Sequence, residues 1–349
     1  MKFRNSRRTA LIIAAVAVVA GGVVASATAS RSSHTAGQLV GAGSTFVQPL
    51  VSQWQAAYPS VGGTNIVYQP IGSGGGIQAI SNRTVDFGAS DAPLTPDQFA
   101  NCKGCYQLPW ALGGTAVMIN LKTNAHAPLH ITGTVLAQIY LGQITSWDDP
   151  AIKALNPGIT FPSQKITPVY RSDGSGTSYN FVDYLSSVSP AFKSKVGVST
   201  QPPFPVGVGG KGSSGVSGVV KNTVGAIGYA DIAYAVTNHI QVMAVRNAAG
   251  RYTTPGIKSI SAAASAFNTI PDNGEMHIVN PPKAAKLAYP ISTYTYVIIP
   301  QKTGNAYPLK KFIFWALTKG QPYGVKLRYV PIPKQVLVYS EKTLAKVQS

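Results

Sequence analysis

Short apolar runs, turns of small residues and amphipathic segments follow one another along most of the chain. The first unit, residues 38–59, reads QLVGAGSTFVQPLVSQWQAAYP. The pattern predicts a short strand, a Gly/Ser turn and an amphipathic helix that ends at Pro59. The helix is indicated by apolar residues that recur at the spacing of one helix face, namely Phe46, Leu50, Val51, Trp54 and Ala57.

The same order of strand, small-residue turn and helix recurs further along the chain. Residues 64–82 (TNIVYQPIGSGGGIQAISN) and 166–188 (ITPVYRSDGSGTSYNFVDYLSSV) each predict all three parts. Residues 85–94 (VDFGASDAPL) predict a strand that runs into a loop, and residues 223–235 (TVGAIGYADIAYA) predict a strand joined to a helix.

Residues 126–157 have a helical pattern with a Trp-Asp-Asp-Pro turn, and residues 289–300 and 307–320 predict a strand and a helix. Asp148 and Asp149 come just before a proline, where Asp is a usual helix starter, so we interpret them as structural. Strands that alternate with helices form a parallel or mixed sheet covered on both faces. We therefore predict an α/β fold, in which ligands bind at the carboxyl ends of the strands.

The composition is that of a globular protein with room for two domains. The 349 residues are 45% hydrophobic and 11% charged, which is enough apolar material for two cores of ordinary size. The 29 basic residues outnumber the 11 acidic ones, and the net charge is +18. The basic residues are dispersed rather than clustered, so we expect no nucleic acid partner; anionic surfaces and anionic ligands stay open.

The N-terminal residues 1–29 have the parts of an export signal. Four basic residues precede an apolar run from Leu11 to Ala20, and residues 25–29 offer Ala-x-Ala cleavage sites. We predict a secretory signal peptide of the Sec or twin-arginine type; a retained N-terminal anchor is the alternative. No Cys near the cleavage region could carry a lipid. We expect an exported protein, soluble after signal cleavage, in the periplasm or in the cell-surface and extracellular space.

The two cysteines, Cys102 and Cys105, lie in the sequence NCKGC. A redox dithiol, half of a zinc site and a disulfide all use such a spacing. A zinc site needs four ligands, and the sequence has no second Cys pair or paired His. For an exported protein we predict a disulfide between Cys102 and Cys105 that clips a surface turn, and no metal site.

Three turns place small Gly, Ser or Thr residues between a strand and the start of a helix. They are GAGSTF (41–46), GSGGG (72–76) and SDGSGTS (172–178). The first N–H groups of a helix have no partner within the helix and carry a partial positive charge, so such turns bind anions. One turn alone would be an ordinary helix cap, but three together predict an oxyanion site.

The usual nucleotide-binding and hydrolase motifs are not matched. GAGSTF has Phe46 at the third glycine position of the dinucleotide fingerprint, and PVGVGGKGSSG has Pro205 and Gly212 where a P-loop needs Gly and Ser or Thr. Ser175 lacks the Gly-x-Ser-x-Gly elbow of a hydrolase, and the five histidines form no ligand pattern. We therefore expect a binding protein without a cofactor rather than an enzyme.

Arg171, Asp173 and Asp91 are charged residues at predicted strand ends that can act on an oxyanion. Arg171 offers bidentate donors, and Asp173 can orient it. Asp91 would repel a bare anion but can accept a hydrogen bond from a protonated one. Phosphate carries a proton at neutral pH and sulfate does not, so a fixed carboxylate acceptor would select phosphate over sulfate.

Ten longer motifs follow one another along residues 38–349: GAGSTFVQPL, YQPIGSGGGIQAI, VDFGASDAPL, GGTAVMIN, IYLGQITSWDDPAI, LNPG, RSDGSGTSYNFVDYL, VGGKGSSGV, GAIGYADIAYA and YPISTYTYVI. In content and order they resemble the phosphate-binding proteins of bacterial phosphate ABC transporters. The resemblance implies a two-lobed periplasmic-binding-protein (type II) fold, in which each lobe is a mixed sheet flanked by helices. Residues 38–112 and 286–349 would form lobe I, and residues 113–285 would form lobe II.

The resemblance also implies a ligand and its contacts. Inorganic phosphate would lie in the cleft, the lobes would close around it, and membrane permease subunits of a phosphate ABC transporter would receive it. Asp173 would support Arg171, and we expect a monomer that uses no cofactor. The phosphate-binding residues would be Thr45, Phe46, Ser73, Asp91, Arg171, Ser175, Gly176 and Thr177.

Three features depart from the family pattern. Gly74 stands where a second Ser is frequent, the lipid-attachment Cys of some members is absent, and the NCKGC turn is unfamiliar. An extracellular phosphatase on the same scaffold, a binder of another tetrahedral oxyanion and an adhesion role for the basic surface stay open as alternatives. The scarcity of carboxylates suggests a further hypothesis, an acidic working medium, because few native carboxylates would need protonation as the pH falls.

Overall fold

A computed structural model describes residues 37–349 of the chain, and the predicted signal peptide lies outside them. Strands and helices alternate over much of this length. The strands are β1 (Gln38–Gly43), β2 (Asn65–Gln69), β3 (Phe87–Ser90), β4 (Cys105–Ile119), β5 (His130–Ile131), β6 (Thr167–Arg171), β7 (Val208–Gly210), β8 (Ala226–Asp231), β9 (Gln241–Val242), β10 (Ala244–Arg246), β11 (Tyr252–Thr253) and β12 (Ser292–Pro300).

The helices cover both the strand connections and the C-terminal end. Two short 3₁₀ helices, Pro59–Val61 and Gln321–Leu327, accompany them. The α-helices are α1 (Gln48–Ala57), α2 (Ser73–Ser81), α3 (Pro96–Asn101), α4 (Gly133–Tyr140), α5 (Pro150–Leu155), α6 (Gly176–Val188), α7 (Pro190–Lys195), α8 (Gly212–Asn222), α9 (Ile232–Asn238), α10 (Ile257–Ala264), α11 (Ala306–Leu317) and α12 (Lys334–Ala345).

The main sheet is mixed and has the strand order β2-β1-β3-β12-β4-β8-β6-β7, with β9 also paired to β4. Strands β1, β2 and β3 are parallel to one another, and so are β6, β7 and β8. The central strands β12 and β4 run antiparallel to their neighbours. A small separate sheet has the order β11-β10-β5. The predicted alternation of strands and helices is therefore confirmed.

The long strand β4 connects the two sets of parallel strands. Its residues from Cys105 to Gly114 pair with β12, and those from Thr115 to Ile119 pair with β8. Nearly all of its 15 residues are buried. One strand thus carries the backbone from one half of the sheet into the other.

Two large hydrophobic clusters account for most of the buried apolar side chains in residues 37–349. The first includes Trp54, Trp110 and Phe312, and the ring centroids of Trp54 and Trp110 lie 5.1 Å apart in an edge-on contact. The second includes Phe181 and Tyr229, whose rings stack 4.1 Å apart. Such aromatic pairs add stability beyond the burial of their area. The lobe boundaries predicted from the sequence stay a prediction.

The predicted helix after β1 is α1, which begins with a proline in its first turn and buries Leu50, Val51 and Trp54. Residues 126–157 differ from the prediction, because they contain the short strand β5 as well as helices α4 and α5. Asp149 caps α5, since its Oδ1 accepts the Ala151 N–H at 2.8 Å.

Cys102 and Cys105 form a disulfide in the turn after α3. Lys103 and Gly104, between the two cysteines, both have a positive φ. The guanidinium of Arg83 donates to the carbonyl oxygens of Cys102 and Lys103, at 2.8 and 3.1 Å. The turn is therefore held by both a covalent bond and a cation.

Between residues 37 and 349 no helix has the length and apolar character needed to cross a membrane.

Candidate functional site

The candidate residues lie at the carboxyl ends of strands from both halves of the sheet. β1 is followed by residues 44–46, and β3 by Asp91. β6 ends at Arg171 and is followed by residues 172–175, after which α6 begins at Gly176. Parallel strands collect their following loops at one edge of a sheet. The fold therefore brings these residues, which are distant in sequence, to one buried place.

Hydrogen bonds join the two halves directly. The Ser73 Oγ, at the start of α2, accepts the Gly176 N–H at 3.0 Å and the Asp91 N–H at 3.3 Å. The Gly74 N–H donates to the Gly174 carbonyl oxygen at 3.0 Å. The site therefore lies in a closed cleft.

Asp91 is an almost fully buried carboxylate, with 1% of its surface exposed. The Ser44 hydroxyl donates to its Oδ1, and the Thr177 hydroxyl donates to its Oδ2 at 3.3 Å. Burial raises the pKa of Asp91 to about 6, although the Ser44 hydrogen bond and the charge of Arg171 act to lower it. The carboxylate is thus ionised at neutral pH and becomes protonated in mildly acidic solution.

Arg171 supplies the positive charge of the site. Only 1% of its side chain is exposed. Its Nε donates to Asp173 Oδ1 at 2.8 Å, and its Nη2 donates to Asp173 Oδ2. This two-point pair fixes the plane of the guanidinium. The remaining nitrogen, Nη1, donates to Thr177 Oγ1 at 3.5 Å, and Thr177 is also the residue that reaches Asp91.

Asp173 is a carboxylate in the opposite electrostatic setting. Burial acts to raise its pKa, but the hydrogen bonds and the charge of Arg171 outweigh burial, so the pKa of Asp173 is lowered. Its Oδ1 also accepts the Gly212 N–H at 2.9 Å, which connects the loop after β6 to the start of α8. Asp173 is therefore the permanent counter-charge of Arg171.

Helix α6 begins inside the site. The Ser175 hydroxyl caps the helix by accepting a backbone N–H at 3.0 Å, and Gly176 and Thr177 are the first two helical residues. All three are buried, and the positive end of the helix dipole faces the cleft. One turn later, Asn180 donates to the Asp91 carbonyl oxygen at 2.9 Å and fastens α6 to the loop after β3.

The loop after β1 contacts the start of α8 across the cleft. The Thr45 Oγ1 lies 2.9 Å from the Ser213 Oγ and accepts the Ser213 N–H at 3.1 Å. The Phe46 N–H donates to the Ser44 Oγ at 3.0 Å, and the Phe46 ring is completely buried.

Three tyrosine hydroxyls hold the backbone of this loop by donating to successive carbonyl oxygens. They come from three distant parts of the chain, so the path of residues 44–46 is fixed by the tertiary structure. The pairs are Tyr68 with Ser44 at 2.8 Å, Tyr234 with Thr45 at 2.7 Å, and Tyr329 with Phe46 at 2.5 Å.

Close backbone approach explains two glycines of the site. A Cβ at Gly176 would lie 2.5 Å from the Ala92 nitrogen and 2.6 Å from the Asp91 nitrogen, so any side chain there would push the two loops apart. A Cβ at Gly74 would lie 3.3 Å from the Gly174 Cα. The glycine at position 74, which departs from the family pattern, therefore sits against the backbone of the opposite loop.

Sequence reasoning did not identify Ser44, Ser213 or Asn180. Ser44 and Ser213 lie within the motifs GAGSTF and VGGKGSSGV. Within the first of these motifs the sequence predicted other contact residues, Thr45 and Phe46. Asn180 follows Gly176 by one helical turn, and this spacing places both on one face of α6. That spacing is the signal that could have found Asn180. The contacts of Ser44 and Ser213 depend on how the two halves meet, which the sequence does not display.

The site combines many hydrogen-bond donors and one cation with one acceptor carboxylate. Donors and the cation favour an oxyanion, whereas a buried carboxylate beside them favours an oxyanion that still carries a proton. Within residues 37–349, no group of three or more His, Cys, Asp or Glu residues is placed to hold a metal ion.

Comparison with other sequences identifies relatives along most of the chain. The family description that matches residues 28–319 is PBP superfamily domain. Phosphate-binding protein PstS of Xylella fastidiosa is 42% identical over 310 residues, covering 86% of this chain and 84% of that protein. Phosphate-binding protein PstS of Haemophilus influenzae is 35% identical over 305 residues, covering 86% of this chain and 91% of that protein.

Solved structures show the same fold at lower identity. A high affinity periplasmic phosphate-binding protein bound with phosphate aligns with a TM-score of 0.71 at 20% identity, over 86% of this chain and 92% of that one. A phosphate binding protein from Stenotrophomonas maltophilia aligns with a TM-score of 0.67 at 20% identity, over 87% of this chain and 93% of that one. The predicted fold class, an α/β two-lobed periplasmic-binding-protein fold, is confirmed.

Proposed function

The chain belongs to the PBP superfamily and, within it, to the phosphate-binding proteins, and from this we propose that it binds inorganic phosphate in the closed cleft between its lobes. One observation carries the proposal. Arg171 and Asp91 are both buried and are linked through one side chain, Thr177. A cation and an acceptor carboxylate at one buried point match an anion that retains a proton.

The donors of the cleft would hold the phosphate oxygens. The Arg171 Nη1 group donates to Thr177, the Thr45 hydroxyl contacts the Ser213 hydroxyl, and the Ser73 Oγ accepts the Gly176 N–H at the start of α6. On binding, phosphate oxygens would replace these partners. In a cleft closed to water, every such charge-assisted hydrogen bond is stronger than at a surface. The residues Phe46, Ser175, Gly176 and Thr177 complete the proposed set of contacts.

Asp91 would select the anion. Its carboxylate accepts the proton of monohydrogen phosphate at neutral pH, whereas sulfate would set oxygen lone pairs against the carboxylate. An unsatisfied and repelled buried group costs about 1–3 kcal/mol. With a pKa of about 6, Asp91 is ionised at neutral pH, as this role requires.

The wider function follows from the same family. We infer that the protein is exported, captures phosphate outside the cytoplasm and delivers it to the membrane permease subunits of a phosphate ABC transporter, without catalysis. The relatives are named as binding proteins, and closure of two lobes by a hinge motion is a common way to capture and release a ligand.

Calorimetric titration of the exported protein with phosphate, arsenate and sulfate at pH 7.5 tests the proposal. We expect one phosphate per chain, binding of arsenate, which is also protonated at this pH, and sulfate affinity lower by at least about tenfold. Absence of phosphate binding, or equal affinity for sulfate, would contradict the proposal. Incubation with a chromogenic phosphate ester separates a binder from a phosphatase, and we expect no turnover.

A further inference from the structure

Asp231, the last residue of β8, is a carboxyl that the phosphate contacts proposed above do not use. It is completely buried. It lies where the two halves of the sheet meet, because β8 pairs with β4 at Thr115. A Cβ on Gly113 would lie 3.1 Å from Asp231 Oδ2 and 2.8 Å from the Phe46 ring. Asp231 therefore lies close to the ring of Phe46, which belongs to the loop after β1.

The two oxygens of Asp231 differ in their partners. Oδ1 accepts the Ala233 N–H at 2.9 Å and caps helix α9. Oδ2 is buried and has no hydrogen-bond partner among the described residues. A buried polar atom without a partner is costly, so the state of this oxygen needs an explanation.

Capping a helix does not by itself require a buried carboxyl. Asp149 caps α5 with the same geometry, its Oδ1 accepting the Ala151 N–H at 2.8 Å, yet Asp149 is only half-buried. Thr132 and Ser175 cap α4 and α6 with hydroxyl groups. The carboxyl at Asp231 is therefore more than the cap needs.

The surroundings of Asp231 favour its neutral form. The ionisable groups that face it are Asp91, Tyr329 and Tyr234. Burial raises the pKa of Asp231 well above its ordinary value, with the like charge of Asp91 as a smaller contribution, although the Ala233 N–H and the Tyr329 hydroxyl act to lower it. Arg171, the cation of the site, is engaged by Asp173. A buried oxygen without a partner among residues 37–349 and a cation already engaged elsewhere both disfavour the ionised form, and in the neutral form one oxygen of Asp231 becomes a donor.

Tyr329 provides the matching acceptor. Its hydroxyl is a polar neighbour of Asp231 and donates its single proton to the Phe46 carbonyl oxygen. The hydroxyl oxygen can still accept a hydrogen bond. A protonated Asp231 can supply that bond, whereas an ionised Asp231 would face the lone pairs of the tyrosine oxygen.

We propose that Asp231 is a positioning residue of the phosphate site that works in its protonated form. Its carboxyl donates to the Tyr329 hydroxyl, which donates to the Phe46 carbonyl, and this relay holds residues 44–46 in the geometry that binds phosphate. The inference rests on the proposed function, since it concerns the same site. Ionisation of Asp231 reverses the first bond and adds a negative charge near the anion, so it weakens phosphate binding.

Two substitutions separate the donor from the cap. Asp231→Asn keeps an oxygen for the α9 cap and places an N–H donor toward Tyr329, whereas Asp231→Ser keeps a cap oxygen but cannot reach Tyr329. We expect calorimetry to show phosphate affinity about fivefold higher for the Asn variant than for the Ser variant, the worth of about one hydrogen bond. In a Tyr329→Phe background the difference should vanish. Asp149→Asn, at the matched cap of α5, should leave phosphate affinity unchanged.

Infrared difference spectroscopy reports the proton directly. In the phosphate-bound protein at pH 7, the unaltered chain should show a protonated-carboxyl band that Asp231→Asn removes. On raising the pH, affinity relative to Asp231→Asn should fall as this band disappears, by up to about tenfold per pH unit.

Three results would overturn the inference while leaving phosphate binding intact: an ionised Asp231 at pH 7, equal affinities of the Asn and Ser variants, or an Asn–Ser difference that persists without the Tyr329 hydroxyl. Failure of the unaltered chain to bind phosphate would instead contradict the proposed function. If Asp231→Asn does not fold, Asp231→Ser and Tyr329→Phe, alone and combined, still decide the matter, because the relay requires that their losses of phosphate affinity do not add.

Discussion

Asp91 and Asp173 are carboxylates of one site that occupy opposite electrostatic settings. Asp91 is buried among hydroxyl donors, and burial raises its pKa to about 6. Asp173 forms a two-point ion pair with Arg171, and its pKa is lowered. We call the loop after β3 and the loop after β6 the two arms of the cleft. The same type of side chain therefore has a pKa of about 6 in the first arm and stays charged in the second.

The difference shows how the site divides its work. Asp173 neutralises and orients Arg171, so the cation enters the cleft with a fixed geometry. Asp91 lacks a direct ion pair, so its carboxylate remains free to share a proton with a ligand oxygen. An ion-paired carboxylate at position 91 could not accept the proton of a ligand, and an unpaired carboxylate at position 173 could not orient Arg171.

Removal of the cation should have the largest effect. Arg171→Ala leaves the phosphate dianion without a buried counter-charge, and we expect phosphate affinity to fall by about a thousandfold, or about 4 kcal/mol. Asp173→Asn, which keeps the cation but loosens it, should cost less. Calorimetric titration measures both, with Arg251→Ala, at an exposed position, as the control. If the phosphate affinity of Arg171→Ala stays within tenfold of that of the unaltered chain, Arg171 is not the main counter-charge of phosphate.

The raised pKa of Asp91 predicts a pH dependence of stability. The folded protein holds the proton more tightly than the unfolded chain, so the contribution to the free energy of unfolding is complete below about pH 4 and is lost as the pH rises through about 6. The loss is up to about 3 kcal/mol. Denaturation of the phosphate-free protein from pH 4 to 7 should show this slope, and Asp91→Asn should reduce it while leaving the contribution of Asp231, whose pKa burial also raises; Asp97→Asn, at an exposed position, should leave it unchanged. Parallel profiles for the unaltered chain and Asp91→Asn would contradict the assignment.

Neutralising Asp91 should abolish discrimination rather than binding. Asp91→Asn offers an amide donor to sulfate, so we expect the phosphate-to-sulfate affinity ratio at pH 7.5 to fall by about thirtyfold, or about 2 kcal/mol. In the unaltered chain the same ratio should decline below pH 6, where Asp91 becomes protonated. Competition titrations with the two anions measure both effects. An unchanged ratio in Asp91→Asn would show that selectivity lies elsewhere.

Separating the two arms should give the smallest effect. Gly176→Ala sets a Cβ against the backbone of Ala92 and Asp91, and overpacking of this kind costs about 1–3 kcal/mol. We expect phosphate affinity to fall by about tenfold because closure is opposed. Gly218→Ala on α8, where a Cβ meets nothing within 4 Å, is the matched control. Equal affinities of the two variants would mean that the arms need not touch.

The local pattern of apolar and small residues in the sequence predicted much of the fold. The apolar spacing before Pro59 predicted α1, and the small-residue turns predicted the starts of α2 and α6. The strand β4 was not predicted, because it is buried along nearly all of its length and so lacks the alternation that marks a half-buried strand. The strand β5 was missed since it has only two residues and depends on its partner β10.

Part of the candidate site could also be predicted from local sequence pattern. Arg171, Asp173 and Asp91 stand out because charges at strand ends are few in this chain. Ser44, Ser213 and Asp231 have roles that depend on contacts between the halves of the sheet. Small hydroxyls are also common at turns, so residue type alone does not single out these two serines.

A crystal structure of the protein with phosphate at pH 7.5 tests most directly whether the two arms meet on one anion. We predict phosphate between them, with one oxygen about 2.6 Å from the Asp91 carboxylate and another accepting from the Arg171 Nη1 group at about 2.8 Å. Phosphate bound outside the cleft, or bound to Arg171 with no oxygen within hydrogen-bonding distance of Asp91, would contradict the proposed site.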